Sequence, residues 1–329
     1  SSLDSAQPLA ALNIWVCTEE GTSLLSRVCH LDAASLIKAE TFWAQGYFLM
    51  KFQRGTTFCY GVIMKKLRGL AKNLSYTQKS CVSKAGKLMF QSRMLNPGAR
   101  IGVAMSGGLD SWVLLLVLLV QSRKLPFDLE LMVLHVNPGF DATSHLPLLD
   151  WLEQFGIPAH IDVSDMGPRA HSGENRKNSP CFFCSWLRRK RLFELMNHYS
   201  LTHLAMGHNA DDLVQTFFMN ICYAGRVEGM FPKETFFEGE FELIRPLLWV
   251  DKRLITKAAK EWKLPVWANP CPSAQDSKRS DVDDWLESLW KGNKRIRKNI
   301  FSGLMRWQAM HPSPSDGRGR SGSDSDDPP

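Results

Sequence analysis

A serine- and glycine-rich hexapeptide directly follows the apolar run at 101–105. It consists of Ser106, Gly107, Gly108, Leu109, Asp110 and Ser111. A strand that ends in such a turn and continues into a helix, here residues 112–120, directs backbone N–H groups and a helix N-terminus into one concavity that suits phosphate. The segment lacks the Gly-Lys-Ser/Thr ending of a Walker loop. It therefore predicts a different phosphate-binding loop, and an ordinary glycine-rich turn is the alternative.

A second polar segment, residues 207–212, follows another predicted strand. Its sequence is Gly207-His208-Asn209-Ala210-Asp211-Asp212. Carboxylate oxygens are ligands that Mg²⁺ prefers, so Asp110 together with Asp211 or Asp212 could hold the ion against nucleotide phosphates. The alternative is that Asn209 or Asp211 caps the helix that follows, and the two roles are compatible.

Three cysteines are candidates for chemistry. Cys181 and Cys184 form a Cys-x-x-Cys pair after Pro180, and Cys271 lies in an Asn-Pro-Cys-Pro segment. Two thiols at this spacing bind one metal ion or cluster. The residues alone leave zinc, iron–sulfur and a redox pair open. Cys222, within an apolar predicted helix, is interpreted as a core residue.

The chain carries a formal net charge of +7, and its cations are clustered. Residues 64–109 and 288–307 each contain several basic residues, including Lys294 and Arg295 in the second segment, and no acids. Four residues after the second cysteine of the pair begins the run Arg188, Arg189, Lys190 and Arg191. A solvated helix face explains one such run, but three of them favour a polyanion such as nucleic acid.

Strand-like and helix-like segments alternate between residues 100 and 270. Strands are predicted at 100–105, 129–136, 160–163, 203–207 and 241–245, and helices at 110–123, 143–155, 184–199, 210–223 and 251–262. This alternation predicts an α/β fold with a doubly wound parallel sheet. Ligands of such sheets bind beyond the carboxyl ends of the strands, where both polar segments are placed.

The 329 residues allow about two domains. We predict an N-terminal extension at 1–63 outside the enzyme, since Met64 begins a start-like segment, or else a small poorly ordered region. A basic helical lead-in follows at 64–99, then the nucleotide-binding domain at 100–279, a basic helical element at 280–308 and a disordered tail at 309–329. No apolar run is long enough to cross a membrane, and no signal peptide is recognised. A cytoplasmic protein is therefore expected.

Taken together and in order, these segments resemble the tRNA 2-thiocytidine synthetase family of PP-loop ATP pyrophosphatases. The matching segments are Ser106–Ser111, His135–Asn137, Cys181–Cys184 with Arg188 and Arg189, Gly207–Asp212, Gln215–Thr216, Tyr223–Lys233, Ile244–Leu247 and Pro270–Cys271. The resemblance covers roughly residues 64–308. Family members often have lysine at the position of Leu109, and a further cysteine at the position of Ala274.

The resemblance implies a HUP-type fold that adenylates the cytidine at tRNA position 32 and thiolates it to 2-thiocytidine. It implies ATP at residues 106–111, His135, Val136, Gly207 and Asp211, with Mg²⁺ at the carboxylates. It also implies a [4Fe-4S] cluster on Cys181, Cys184 and Cys271, and tRNA contacts from residues 188–191, Arg245, Lys294 and Arg295. Expected partners are tRNA, a sulfur donor such as a cysteine desulfurase, and a second copy of the chain.

Three alternatives stay open at this point. A related tRNA 2-thiouridine synthetase or another PP-loop sulfurtransferase would share the ATP chemistry. A lysidine-type ligase or amidotransferase-type synthetase would not need the cysteine pair. A nucleic-acid-binding zinc protein would hold zinc and leave ATP intact.

Overall fold

The computed structural model describes residues 15–18, 21–24, 49–51, 57–59, 73–141, 143–175, 179–267, 271–273 and 278–311. Near the N-terminus, β1 (Trp15–Thr18) pairs antiparallel with β2 (Gly21–Leu24), and β3 (Leu49–Lys51) pairs antiparallel with β4 (Thr57–Cys59). The rest of the predicted extension and the predicted tail beyond residue 311 lie outside the described residues.

Strands and helices alternate through the remainder of the chain. The strands are β5 (Arg100–Met105), β6 (Glu130–Asn137), β7 (Ala159–Val163), β8 (His203–Ala205), β9 (Lys233–Phe236) and β10 (Phe241–Ile244). The helices are α1 (Tyr76–Gln91), α2 (Leu109–Ser122), α3 (Leu146–Phe155), α4 (Met166–Ala170), α5 (Pro180–His198), α6 (Ala210–Ala224), α7 (Lys252–Trp262), α8 (Lys278–Gly292) and α9 (Lys294–Met310).

Six strands form one sheet in the order β7-β6-β5-β8-β10-β9. All neighbours run parallel except β9, which pairs antiparallel with β10 at one edge. Val103 of β5 stands opposite Val133 on one side and Ala205 on the other. The predicted doubly wound parallel sheet is confirmed. Strand β9 was not predicted, because Lys-Glu-Thr-Phe is short and half-buried and gives no apolar run.

The strands bury both of their faces. In β6, Val133 belongs to the larger core, whereas Met132 and Leu134 pack in a second core with Leu195 of α5. Successive strand residues point to opposite faces, so this division means that helices cover the sheet on both sides. The sheet is therefore the middle layer of a three-layer domain.

Helix α2 is buried along almost its whole length, from Ser111 to Gln121. It packs against α1 and α7 as well as against β5, which is why its sequence is apolar all round rather than on one stripe. No helix in the described part of the chain is both long and apolar enough to span a membrane.

Several predicted element boundaries change. Helix α5 begins at Pro180 instead of 184, because Ser179 caps it by accepting a hydrogen bond from the Phe182 amide at 3.3 Å, and Pro180 suits the first turn. The predicted C-terminal helical element is two helices, with Asn293 capping the second. Cys222 is exposed, so its interpretation as a core residue is wrong.

Candidate active site

The hexapeptide forms the turn between β5 and α2. The Ser106 amide donates to Ser111 Oγ at 3.2 Å, the Gly108 amide donates to Ser106 Oγ at 3.3 Å, and Ser111 Oγ donates to the Gly108 carbonyl at 2.8 Å. Gly108 is the N-cap and supplies no side-chain cap to α2. The first backbone N–H groups of α2 are consequently available to donate hydrogen bonds to an anion, as a phosphate-binding loop requires.

Gly107 holds the loop in a left-handed conformation, with φ of +83°. The Trp267 ring lies directly over it: a Cβ at Gly107 would stand 2.1 Å from the ring. The Trp267 amide also donates to the Gly107 carbonyl at 3.2 Å. Trp267 therefore attaches the chain segment that leads to Cys271 to the hexapeptide. Sequence reasoning missed this residue, because a lone tryptophan carries no signal of its neighbours.

Replacing Gly107 by alanine is expected to destabilise the protein and abolish ATP binding. The left-handed backbone costs an L-residue about 1–3 kcal/mol, and the added methyl group displaces Trp267. Gly98→Ala is the matched control, since Gly98 has φ of +84° and a Cβ there would meet no atom within 4 Å. Thermal denaturation and equilibrium dialysis with ATP measure both effects. Loss of ATP binding in both variants would contradict a specific role of the Trp267 contact.

The segment 207–212 meets the hexapeptide at the neighbouring strand end. A Cβ on Gly207 would stand 3.1 Å from the Ser111 nitrogen. Asn209 caps α6 by accepting from the Asp211 and Asp212 amides at 2.9 and 3.3 Å, and its side-chain amide donates to Asp110 Oδ1 at 3.2 Å. The capping role predicted for Asn209 is confirmed, and the same side chain joins the two polar segments.

Two cations from the C-terminal half complete this region. The Lys252 Nζ forms an ion pair with Asp110 Oδ2. Arg297 of α9 pairs with Asp211 Oδ1 at 2.5 Å and with Asp251 Oδ2 at 3.0 Å. Neither cation was predicted here, because each is far from its partner along the chain and has no motif around it.

The predicted magnesium ligands are engaged with donors of the protein. Both oxygens of Asp211 are occupied, by Arg297 and by the Lys252 amide at 2.8 Å. Asp212 accepts the Asn209 amide at 2.9 Å, and burial raises its pKa. Within the described ranges, no three His, Cys, Asp or Glu side chains form a group that could hold a metal ion. Both oxygens of Asp110 are engaged in the same way, by Asn209 and Lys252, so the magnesium-binding roles of Asp110, Asp211 and Asp212 all stay predictions.

The three cysteines come from two parts of the chain, α5 and the segment 271–273, and they interact electrostatically. Cys181 and Cys184 lie in the first turns of α5, where the helix dipole favours anions. Burial raises the pKa of both thiols, and the charge of Cys271 raises each of them further. Part of this rise is offset by Arg279 for Cys181 and by Arg188 for Cys184. The Cys181 Sγ also lies 3.6 Å from the Ser273 carbonyl oxygen. Converging thiols beside cations are soft donors that suit an iron–sulfur cluster.

The cations of the basic run 188–191 lie in different surroundings, some inside the protein and some exposed to solvent. Arg191 is used within the fold, since its Nε donates to Asp162 at 2.5 Å and its Nη1 to Glu194 at 3.0 Å. Arg189 and Lys190 are exposed, with Lys190 over the Trp186 ring at 5.8 Å. The half-buried Arg188 lowers the pKa of Cys184 and also of His135. Arg188 therefore interacts with Cys184, and the RNA contacts of Arg189 and Lys190 stay predictions that their exposure allows.

Arg245, predicted to contact RNA, is buried and only 7% exposed. Its guanidinium donates to the Phe231 carbonyl at 2.7 Å, to Glu234 at 3.0 Å and to His208 Nδ1 at 3.2 Å. Its donors are thus engaged inside the protein, and burial together with this guanidinium lowers the pKa of His208 to about 3. The structure argues against a direct RNA contact and gives Arg245 a positioning role under the segment 207–212. Arg295 is exposed, as its predicted role requires.

His135 and Val136, predicted to bind ATP, are buried at the end of β6. His135 Nδ1 donates to the Met105 carbonyl at 2.8 Å, and burial lowers its pKa to about 4. Its Nε2 has no hydrogen-bond partner among the described residues. The ring lies 5.9 Å from Trp267, so it borders the hexapeptide side of the site and offers a buried acceptor there.

A parallel sheet in which β5 leads through this glycine turn into a helix defines an α/β domain of the PP-loop class. Residues 78–280 match the PP-loop domain family. The chain belongs to this family, as its sequence motifs predict.

Among its relatives, tRNA-cytidine(32) 2-sulfurtransferase of Alkalilimnicola ehrlichii is 32% identical over 250 residues, which are 74% of this chain and 79% of the relative. The enzyme of the same name from Bordetella pertussis is 31% identical over 222 residues, 66% of this chain and 68% of the relative. The U34-tRNA thiolase NcsA from Methanococcus maripaludis, solved with its [4Fe-4S] cluster, has a similar fold. Its TM-score is 0.57 at 22% identity, covering 80% of this chain and 85% of that one.

Proposed function

We propose that this protein is an ATP-dependent tRNA sulfurtransferase that converts the cytidine at position 32 of tRNA into 2-thiocytidine. The observation that carries the proposal is the meeting of two chemistries at one edge of the sheet. Arg279 lowers the pKa of Cys181 and that of Asp212, and Arg188 lowers that of Cys184 and of His135. The thiols thus share neighbouring cations with the segment 207–212 and the end of β6, and the Trp267 amide, which donates to the Gly107 carbonyl at 3.2 Å, joins the chain before Cys271 to the phosphate loop.

The chemistry explains why the two sites belong together. The 2-oxo oxygen of cytidine is a poor leaving group. When it attacks the α-phosphate of ATP, a P–O bond forms to cytidine and the P–O bond to pyrophosphate breaks. The activated C2 then accepts sulfur, and its bond to oxygen breaks with release of AMP. A sulfur source and an ATP site must therefore reach the same base.

The protein's own groups perform the first half of this reaction. The amides of residues 106–111 and the N-terminus of α2 hold the phosphate oxygens. Asp110, kept in place by Asn209 and Lys252, faces the phosphates and is the proposed Mg²⁺ ligand. Arg188 interacts electrostatically with both Cys184 and His135, and its guanidinium is the proposed contact for negative charge that develops during the reaction.

The thiols of Cys181, Cys184 and Cys271 are the proposed ligands of a [4Fe-4S] cluster, which when bound would carry the sulfur that comes from the donor. The donor set fits, since thiolates are the ligands of such clusters. Cys271 interacts electrostatically with both Cys181 and Cys184, which supports a common site for the three thiols.

The exposed cations Arg189, Lys190 and Arg295 are the proposed contacts with RNA phosphates. Lys294, next to Arg295 in α9, belongs to the same proposal. We also propose a cysteine desulfurase as the sulfur donor, a cytoplasmic location and a homodimer, all of which fit this chemistry.

The test is nucleoside mass spectrometry of tRNA from a thiocytidine-deficient host that expresses this chain. We expect 2-thiocytidine to appear, and to be absent when Asp110→Asn is expressed at the same level. Soluble, cluster-loaded protein without 2-thiocytidine would overturn the assignment. Appearance of 2-thiouridine instead would identify the related uridine enzyme.

A further inference from the structure

We propose that the solvent-facing side of α1 is a second RNA-binding surface, which holds unpaired nucleotides of the tRNA at a distance from the nucleotide site. The inference rests on the proposed function, because it concerns how the same enzyme holds its substrate. It starts from the acid-free basic segment 64–109, of which the proposed site uses only the phosphate loop. Helix α1 lies in the middle of this segment.

Helix α1 has one buried face and one exposed face. The buried face packs into the core and consists of Gln78, Cys81, Val82, Ala85, Leu88 and Met89. The exposed residues Tyr76, Lys79, Ser83, Lys87 and Phe90 follow one another at steps of three or four, and Lys84 is exposed beside them. Residues at these steps lie on one side of a helix. They form a stripe about 21 Å long, called here the α1 stripe.

Both ends of the α1 stripe are aromatic. Tyr76 is 87% exposed and Phe90 is 86% exposed, the highest values among the large apolar side chains in the described part of the chain. A single exposed ring would need no explanation. Two rings in line with lysines are the combination that binds single-stranded nucleic acid, because the rings stack on bases while the cations contact phosphates.

The lysines between the rings have charge to offer a polyanion. Lys79, Lys84 and Lys87 are exposed, and none of them forms an ion pair with another described residue. The preceding segment 64–72 has four cations and no acid in its sequence. Repulsion between like charges therefore opposes this segment as the cover of the α1 stripe. RNA phosphates are complementary to the stripe, and their counterions are released on binding.

Helix α1 contacts the ends of α2 and α7 that lie away from the phosphate loop. Gln121, near the end of α2, donates to the Val82 carbonyl at 2.5 Å. Ser75, the N-cap of α1, donates from its hydroxyl to the Glu261 carboxylate near the end of α7. Both α2 and α7 begin at the nucleotide site, and about ten residues of helix correspond to about 15 Å. The α1 stripe therefore binds a part of the tRNA other than the nucleotide that reacts.

Filter binding of tRNA to the purified full-length chain tests the inference. For the double variant Tyr76→Ala with Phe90→Ala we expect the tRNA affinity to fall about 10-fold or more, through loss of two stacked bases. For the triple variant Lys79→Met, Lys84→Met and Lys87→Met, the slope of log affinity against log salt concentration should become shallower by about two to three. Tyr76→Phe with Phe90→Tyr keeps both rings and is the matched control, which should bind tRNA as the wild type does. The ATP affinity should stay at the wild-type value in all three.

The outcomes separate this inference from the proposed function. If the double and triple variants bind tRNA with the wild-type affinity and salt slope, the α1 stripe does not contact RNA, even where the wild type forms 2-thiocytidine. Loss of binding to phosphatidylglycerol vesicles in those variants, with tRNA binding intact, would identify a membrane surface instead. If ATP binding is lost in parallel, the single variants Phe90→Ala and Lys87→Met are measured by the same criteria. A wild type that binds tRNA through α1 but forms no 2-thiocytidine would overturn the thiolation assignment and leave the α1 stripe standing.

Discussion

Replacing Cys181 by alanine is expected to reduce tRNA thiolation below detection while ATP binding stays within about twofold of the wild type. The substitution removes one of three thiols that converge from α5 and the segment 271–273, and two thiols do not hold a cluster that needs three or four. The phosphate loop is untouched, because its hydrogen bonds and ion pair are made within residues 106–111 and with Asn209, Trp267 and Lys252 rather than with Cys181.

Cys222→Ala is the matched control for this experiment. Cys222 is an exposed thiol on α6, outside the converging set, so its loss should leave iron content and thiolation unchanged. Iron analysis, ATP binding and tRNA nucleoside analysis on the same preparations decide the result. Retained thiolation by Cys181→Ala would rule out the three-thiol site. Parallel loss of ATP binding would show instead that the substitution disrupts the fold around the loop.

The parts of the site that sequence reasoning predicted are those encoded locally. Ser106–Ser111 and Gly207–Asp212 each follow a strand and begin a helix. The spacing of the apolar residues on either side and the residue types of the turns therefore predict their positions. The topology of a parallel sheet then brings the strand ends to one edge without further information. The Asn209 cap follows equally from a local rule.

The parts that were missed or misplaced are set by contacts distant in sequence. Lys252 meets Asp110 across 142 positions, and Arg297 meets Asp211 across 86. The sequence around each of these cations contains no motif that predicts its partner. Arg245 shows the converse error: a cation beside a motif suggested RNA, but its neighbours Phe231 and Glu234 enclose it. Whether a charged side chain faces solvent or a carboxylate depends on tertiary packing, which local sequence patterns do not predict.

Replacing Arg297 by methionine is expected to lower the free energy of unfolding by about 2–3 kcal/mol, between the values typical of exposed and of buried pairs. Arg297 joins α9 to the N-termini of α6 and α7 through Asp211 and Asp251, and it lies 5.0 Å over the Trp290 ring. Removal leaves two carboxylates unpaired. One of them, Asp211, lies beside the phosphate site, so ATP affinity should also fall several-fold through repulsion.

Arg295→Met is the control, because Arg295 is an exposed cation of the same helix. Its stability should match the wild type within about 0.5 kcal/mol. Its tRNA affinity should fall. The slope of log affinity against log salt concentration should become shallower by about one, as expected for the loss of one phosphate contact. Urea denaturation and salt-dependent tRNA binding separate the two arginines. Equal stability of Arg297→Met and wild type would mean that α9 is held by its apolar face alone. The C-terminal helix would then have no electrostatic connection to the nucleotide site.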